Sequence, residues 1–195
     1  MKVEHKSLEG VALVSFPCFE DERGSFTPLF NSTAFKEAGL THVFRRMNQS
    51  YSKENGTLRG LHYQLPPHSE AKLIRVLSGA IWDIALDIRS GSPNFGRYEG
   101  VYLREGDNQM FLVPAGFAHG FLTLTDHVTV EYLCSHDYHP KYERSIRWND
   151  PYFSIDWPAD VQVLSDKDQN APDFDSKYHL WPEHTHYKEN ISFSS

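Results

Sequence analysis

The sequence predicts an all-β protein that forms a sandwich, a jelly roll or a barrel. Short apolar runs recur along the chain, and turn residues separate them, as in Glu-Gly-Asp-Asn at 105–108 and Pro-Ala-Gly at 114–116. Aromatic residues make up 14% of the chain, and aromatic side chains fit the half-buried surface of a pleated sheet. Many short strands joined by closely spaced turns are typical of these three architectures.

The most regular strand pattern lies near the middle of the chain. Between residues 81 and 88, apolar side chains at the even positions alternate with Ile81, Asp83, Ala85 and Asp87, which predicts a half-buried strand. Further strands are predicted at residues 11–16, 25–30, 43–51, 98–103, 109–113, 121–124 and 128–134.

Two short helices are predicted outside the strands. Asn31 or Ser32 can cap a helix that Gly39 ends. Ser165 and Asp168 have the spacing of a capping box in front of a second short helix.

Length and charge limit the classes of protein to consider. A chain of 195 residues favours one domain, which we place at 1–175, followed by a polar tail at 176–195 that contains His179, His184 and His186. The net charge of -7 argues against a general nucleic-acid binder. No apolar run reaches the length of a membrane span, and the start of the chain lacks the apolar core of a signal peptide. Cys18 and Cys134 are the only cysteines, which fits a reducing compartment although one disulfide stays open. We expect a soluble, cytoplasmic protein.

Residues 58–64, Leu-Arg-Gly-Leu-His-Tyr-Gln, gather polar and ionisable side chains on one predicted strand. Alternate side chains of a strand share a face, so His62 and Gln64 would point one way and Arg59 the other. His62 can exchange a proton near neutral pH, and Lys72 opens the next strand-like run. For this stretch alone, a polar strand at a sheet rim with a surface lysine is the simpler interpretation.

Residues 106–119 resemble the second sequence motif of cupins, a glycine followed by Pro-x-Gly-x-x-His that ends at His119. In metal-binding cupins this histidine is a ligand, and the first motif supplies His-x-His and a Glu. The matching region here reads His62-Tyr63-Gln64 and has no suitably spaced Glu. Because a divalent metal needs several converging ligands, we expect a cupin fold without the cupin metal site. The alternative for His119 is a satisfied, partly buried histidine.

Five longer motifs occur in order at residues 58–64, 72–76, 114–121, 147–151 and 156–158. Together they resemble one family, the dTDP-4-dehydrorhamnose 3,5-epimerases. The resemblance implies an all-β, cupin-type jelly-roll barrel with a few short peripheral helices. It also implies a homodimer that uses neither a metal nor an organic cofactor. The implied substrate is a nucleoside-diphosphate 4-keto-6-deoxyhexose, which is inverted at C3 and C5.

The resemblance assigns catalytic roles to four residues. His62 matches the base, and Lys72 matches the cation that stabilises the enolate oxygen. Tyr132 matches the acid on the opposite face, and Asp168 matches the carboxylate that pairs with the base. The structural alternatives are a strand histidine, a surface lysine, a core tyrosine and a helix cap.

The resemblance also implies substrate contacts. Arg23 and Arg59 match the arginines that hold the diphosphate, for which paired guanidinium donors are suited. The other ligand-lining positions are Phe26, Asn48, Gln64, His119 and Tyr138.

Two departures from the family pattern concern the nucleotide. Pro28 and Arg46 occupy positions where members that bind thymidine commonly have Glu and Gln. Arginine only donates hydrogen bonds, which favours a base edge rich in acceptors. We expect dTDP as the carrier, with CDP and GDP as alternatives. Three other interpretations compete with this one. They are an epimerase that inverts C3 or C5 alone, a non-catalytic cupin that binds sugar nucleotides, and a metal-dependent cupin oxygenase.

Overall fold

Two antiparallel sheets pack face to face in the computed structural model, which describes residues 1–180. The strands, numbered β1 to β13 along the chain, are Lys2–His5, Ala12–Ser15, Phe19–Asp21, Gly24–Phe26, Arg46–Ser52, Leu58–Gln64, Lys72–Ser78, Ala80–Asp87, Tyr98–Arg104, Gln109–Val113, Phe117–Thr123, Val128–Cys134 and Glu143–Ser145. The helices α1, α2 and α3 are Ser32–Glu37, Asp166–Gln169 and Ser176–His179. The prediction of an all-β jelly roll with short helices is confirmed.

The order of the strands brings distant segments together. One sheet has the order β1-β2-β10-β7-β12-β5, and the other has the order β13-β6-β11-β8-β9. The main core fills the space between them, with Ile74 and Val130 from the first sheet and Ile81 and Phe121 from the second. Strands β3 and β4 form a separate hairpin.

Strand β8 is buried on both faces, whereas its alternating pattern predicted a half-buried strand. Ile81 and Ala85 face the core between the sheets. Trp82 and Ile84 face outward but are covered by the C-terminal part of the chain, and the Trp82 ring lies 5.2 Å from that of Trp157. The covering layer comes from a segment of irregular structure, which strand periodicity does not reveal.

A shift of register in β6 corrects the predicted orientation of Arg59. His119 of β11 pairs with His62, whereas Phe121, two residues further along β11, pairs with Arg59, three residues back along β6. Strand β6 therefore carries one extra residue, a bulge that reverses the alternation of its side chains. Arg59 and His62 consequently face the barrel interior together, whereas strict alternation predicted opposite faces.

Gly60 makes this close crossing of β6 and β11 possible. Its φ is +136°, and a Cβ atom there would lie 2.6 Å from the Cα of Gly120 and 3.0 Å from the carbonyl oxygen of His119. No residue with a side chain fits this space unless the strands separate.

Several predicted boundaries shift. Asn31 is the cap of α1, and its side chain accepts a hydrogen bond from the Ala34 amide at 3.0 Å. The strand predicted at 25–30 ends at Phe26, and the one predicted at 121–124 begins at Phe117. Both cysteines are free, so the alternative of a disulfide is wrong.

The polar tail predicted from residue 176 is packed at its start. Residues 176–179 form α3, and His179 is buried. Tyr63 donates a hydrogen bond to the His179 carbonyl at 2.9 Å. The remaining tail, with His184 and His186, lies outside the described residues. Within residues 1–180, no helix is both long enough and apolar enough to cross a membrane.

A side chain at Gly60 would clash with β11, and we predict that this clash lowers stability beyond the cost of the positive φ alone. Gly24 has a similar φ of +127°, but a Cβ atom there meets nothing within 4 Å. We expect Gly60→Ala to lower the free energy of unfolding by roughly 2–3 kcal/mol more than Gly24→Ala does, because only Gly60 adds a clash with backbone. Urea denaturation measures the difference, and equal losses in the two variants would contradict a steric origin.

Candidate active site

Several polar side chains of the predicted site lie on the faces of the two sheets that pack together. On the first sheet, Lys72 pairs with Cys134, which pairs with Arg46. The adjacent row of the same face carries Tyr132 opposite Asn48. Directly paired residues share a face, and diagonal neighbours lie roughly 7–8 Å apart. The pairing therefore brings Lys72, Tyr132 and Asn48 to the inner face of the first sheet. We call the space between these side chains and His62 of the second sheet the cavity.

His62 lies on the second sheet and is held by Asp168. Its Nε2 is 2.5 Å from Oδ1 of Asp168, which α2 carries toward β6. The predicted cap is also present, since the Ser165 hydroxyl accepts a hydrogen bond from the Asp168 amide. Asp168 thus has both predicted roles, in the helix cap and in the pair with His62.

The surroundings of Asp168 keep it ionised. Burial alone would raise the pKa of this carboxyl group, but the hydrogen bond and charge of His62 outweigh it. Further hydrogen bonds from Ser165 and the Gly60 amide act in the same direction, so the pKa lies below its ordinary value. The ionised Asp168 holds the imidazole of His62 in one orientation through this hydrogen bond.

Lys72 is buried beside the backbone of His62. Its Nζ lies 3.4 Å from the His62 carbonyl oxygen and 3.7 Å from Oε1 of Glu70. Glu70 is buried as well, and its other oxygen lies 2.5 Å from Nη2 of Arg46. The predicted alternative of a surface lysine is wrong, because Lys72 is a buried cation that shares one carboxylate with Arg46.

Tyr132 projects into the same cavity and packs against the core between the sheets. Burial raises the pKa of its hydroxyl group, and the neighbouring Cys134 and Glu70 raise it further, while Arg46 and Arg59 oppose them. Tyr132 therefore keeps its proton at neutral pH. Burial also raises the pKa of Cys134 to about 11, so that thiol is neutral.

His119 is a buried histidine with a buried partner. Its Nε2 lies 2.6 Å from Oδ1 of Asp83, and it pairs with His62 across the strands. The second carboxylate oxygen of Asp83 has no partner within the described chain. The structure thus matches the alternative of a satisfied histidine, next to the proposed base.

Two further predicted side chains reach the cavity. The Nε of Arg59 donates to the Ser52 hydroxyl at 3.0 Å, and its Nη2 donates to the Tyr51 carbonyl at 2.9 Å. Arg59 therefore extends from the second sheet to β5 of the first. Asn48 contacts the Cys134 sulfur at 3.6 Å.

Gln64 uses its amide to hold two loops. Its Nε2 donates to the carbonyls of His68 and Asp137, and its Oε1 accepts from the His139 amide at 2.6 Å. Tyr138, on the second of these loops, is exposed and donates to Glu143. A direct contact of either residue with substrate stays a prediction.

Arg23 and Phe26 are not brought to this cavity by their own chain. Both belong to the β3–β4 hairpin region, and the side chain of Arg23 is 85% exposed and paired with Asp21. Phe26 is 67% exposed.

Sequence reasoning missed Glu70 and Asp83, the buried carboxylates behind Lys72 and His119. A buried acid is recognised by its partners, and these partners come from other strands. No local sequence signal distinguishes Glu70 from an exposed glutamate in a loop.

Comparison with known proteins places the chain in a family. The model of the dTDP-4-dehydrorhamnose 3,5-epimerase family matches residues 5–176. The chain belongs to this epimerase family. An epimerase of this name from Methanothermobacter thermautotrophicus is 42% identical over 167 residues, which cover 84% of this chain and 89% of the relative.

Solved structures of epimerases agree with this assignment. The Bacillus anthracis enzyme, with TDP and PPi bound, is 40% identical with a TM-score of 0.86, and the match covers 89% of this chain and 99% of that one. The Legionella pneumophila enzyme, in complex with dTDP-4-keto-L-rhamnose, is 40% identical with a TM-score of 0.81, and the match covers 87% and 90% of the two chains.

The pair of Asp168 and His62 predicts a loss of stability that depends on pH. The pKa of Asp168 is lower in the folded chain than in the unfolded chain, so its contribution is complete at neutral pH and is lost as the pH falls through the folded value. We expect Asp168→Asn to cost about 2 kcal/mol at pH 7 and progressively less below about pH 4. Urea denaturation across this range measures the cost.

Asp166→Asn is the matched control, because Asp166 lies on the same helix but is exposed. A cost of Asp168→Asn that stayed constant down to acidic pH would contradict the ionised pair.

Proposed function

We propose that the chain inverts C3 and C5 of a dTDP-linked 4-keto-6-deoxyhexose, the reaction that converts dTDP-4-dehydro-6-deoxy-D-glucose to dTDP-4-dehydro-L-rhamnose. The observation that carries the proposal is the His62–Asp168 pair beside the buried cation Lys72. The Legionella relative, whose structure holds dTDP-4-keto-L-rhamnose, supports the substrate class. The product would supply deoxysugar and surface-polysaccharide synthesis.

The first step needs a base and a stabilised enolate. The 4-keto group acidifies the protons on C3 and C5, and His62 removes one of them. Because Asp168 engages Nε2, Nδ1 is the nitrogen left to accept the proton. Lys72 places its ammonium group at the ketone oxygen, where it stabilises the charge that develops there in a cavity shielded from water.

The second step needs an acid on the other face of the ring. Tyr132 lies on the sheet opposite to that of His62 and keeps its proton at neutral pH. It returns a proton to the enolate carbon from the side that His62 does not reach, which inverts the centre. These residues supply the base, the cation and the acid, and we therefore propose that turnover requires no metal or organic cofactor.

The nucleotide end is held by Arg59, with Asn48 and His119 lining the cavity. Arg46, which the sequence suggested as a reader of the base, donates instead to Glu70 and to the His136 carbonyl. These two contacts favour a role for Arg46 in positioning Glu70 and, through it, Lys72. Together with the relative that holds TDP, this supports dTDP rather than CDP or GDP as the carrier.

We also keep the cytoplasm as the proposed compartment, which the free thiols Cys18 and Cys134 support.

We propose a homodimer in which the β3–β4 hairpin of one copy covers the cavity of the other. Phe19 and Phe26 of the hairpin are 60% and 67% exposed, and Met47 on the edge strand β5 is 54% exposed. Exposed apolar side chains on a hairpin and beside an unpaired strand edge are typical of a surface that another chain covers. This arrangement gives Arg23 and Phe26 a route to substrate.

Solvent deuterium exchange tests the reaction itself. We expect wild type to incorporate deuterium at C3 and C5 of dTDP-4-dehydro-6-deoxy-D-glucose, and His62→Ala to lose at least about 1,000-fold in exchange rate because the base is absent. His5→Ala, on the exposed strand β1, is the control. Exchange at one carbon only would identify a single-position epimerase, and dTDP binding without exchange would identify a non-catalytic cupin.

The same assay separates acid from base. We expect Tyr132→Phe to retain exchange while the yield of inverted product falls at least about 10-fold, because proton removal does not need the hydroxyl group. Magnetic resonance of the product reports both quantities. Equal losses of exchange and inversion would argue against Tyr132 as the acid.

Complementation tests the exchange of Arg23 between subunits. His62→Ala and Arg23→Ala chains, each impaired alone, are refolded together. If Arg23 acts across the dimer, each mixed dimer has one intact site, and activity recovers to about a quarter of wild type. No recovery, with dimers confirmed by sedimentation, would mean that Arg23 acts within its own chain or not at all.

A further inference from the structure

Three histidines meet at the rim of the cavity, outside the catalytic residues. His68 lies between β6 and β7, and His136 and His139 lie between β12 and β13. One ring nitrogen from each can be chosen so that all three lie within 4.8 Å of one another. Among residues 1–180, no other group of three or more His, Cys, Asp or Glu side chains converges in this way.

The main chain that carries these histidines is fixed by buried or half-buried side chains. Gln64 holds the His68 carbonyl at 3.0 Å and the His139 amide at 2.6 Å. Arg46 holds the His136 carbonyl at 2.8 Å. The three imidazoles are therefore presented by an ordered frame, which is the condition for a preorganised ligand set.

Nδ1 of His136 lies 3.3 Å from the Asp137 carbonyl oxygen, which leaves Nε2 of that ring as its free ligand atom. Nδ1 of His68 is buried and has no hydrogen-bond partner in the described chain, an arrangement that is uncommon for a polar atom in a folded protein. The His68 ring lies 3.6 Å from that of His139 and 4.9 Å from that of His136, measured between centroids.

We propose that His68, His136 and His139 bind a divalent transition metal such as Zn²⁺ or Co²⁺. Imidazole nitrogens suit these metals, and three protein ligands with a water in the fourth position form a common tetrahedral site. Nitrogens at the usual bond length of about 2.0 Å from one metal lie about 3.3 Å apart, so the three ring nitrogens, now within 4.8 Å of one another, must approach when a metal binds.

The bound metal joins two loops rather than taking part in the chemistry. It links the β6–β7 loop to the β12–β13 loop. Gln64 already donates one hydrogen bond to each of these loops. Tyr138 lies between His136 and His139 in sequence, so the metal also restricts this exposed side chain at the rim. The inference does not depend on the proposed epimerase reaction, because none of the three histidines belongs to the catalytic set.

Direct titration tests the site. Untagged full-length protein is stripped with EDTA, dialysed and titrated with Co²⁺, whose visible absorption reports tetrahedral coordination, and with Zn²⁺ by calorimetry. We expect one equivalent of each metal to bind, and saturating Zn²⁺ to raise Tm by about 5 °C, since a ligand that binds only the folded state stabilises it. Chelation should lower Tm without abolishing deuterium exchange.

Variants locate the metal. His68→Ala and His136→Ala should each weaken Co²⁺ affinity about 100-fold. The Tm of each variant without metal shows whether it folds, and one folded variant is enough to test the site. His5→Ala and the pair His184→Ala with His186→Ala should leave it unchanged. The proposal is overturned if wild type binds no tighter than about 1 mM, if the folded loop variants keep wild-type affinity, or if only the change at 184 and 186 removes binding.

Discussion

The hydrogen bond between His62 and Asp168 is the interaction on which the site depends. It joins residues 106 positions apart, one on a strand of the barrel and the other on a helix of the C-terminal segment. The packing of that segment over β8, through Trp157 and Trp82, holds α2 where Asp168 reaches the imidazole. The outer layer of the barrel therefore controls the orientation of a side chain inside it.

Burial of charge is the second constraint. Glu70 lies between Lys72 and Arg46, and Asp83 holds His119. A charge that is removed from water without a partner is strongly unfavourable, so each of these groups requires its neighbour. In the proposed reaction, the same shielding would strengthen the effect of the Lys72 charge on the enolate.

The rim of the cavity links this chemistry to the histidine cluster. Arg46 contacts Glu70 on one side and the His136 carbonyl on the other, and Gln64 fixes the loops of His68 and His139. Side chains that the family pattern associates with substrate therefore also organise the backbone around the cluster. A metal there would act on the geometry of the rim, at a distance from the proton transfers.

The sequence by itself determined most of the strands and the cap at Ser165, because local patterns encode them, although it did not predict β1, β3 and β13. The family motifs singled out His62, Lys72, Tyr132 and Asp168, whose catalytic roles stay proposals. Only the tertiary structure decided the features that depend on contacts between residues distant in sequence. Pairing with β11 introduced the bulge that turns Arg59 and His62 to one face, the C-terminal layer buried both faces of β8, and the loop contacts brought His68 to His136 and His139. Residues far apart in sequence meet only when the sheets pack, and no local period records which of them will become neighbours.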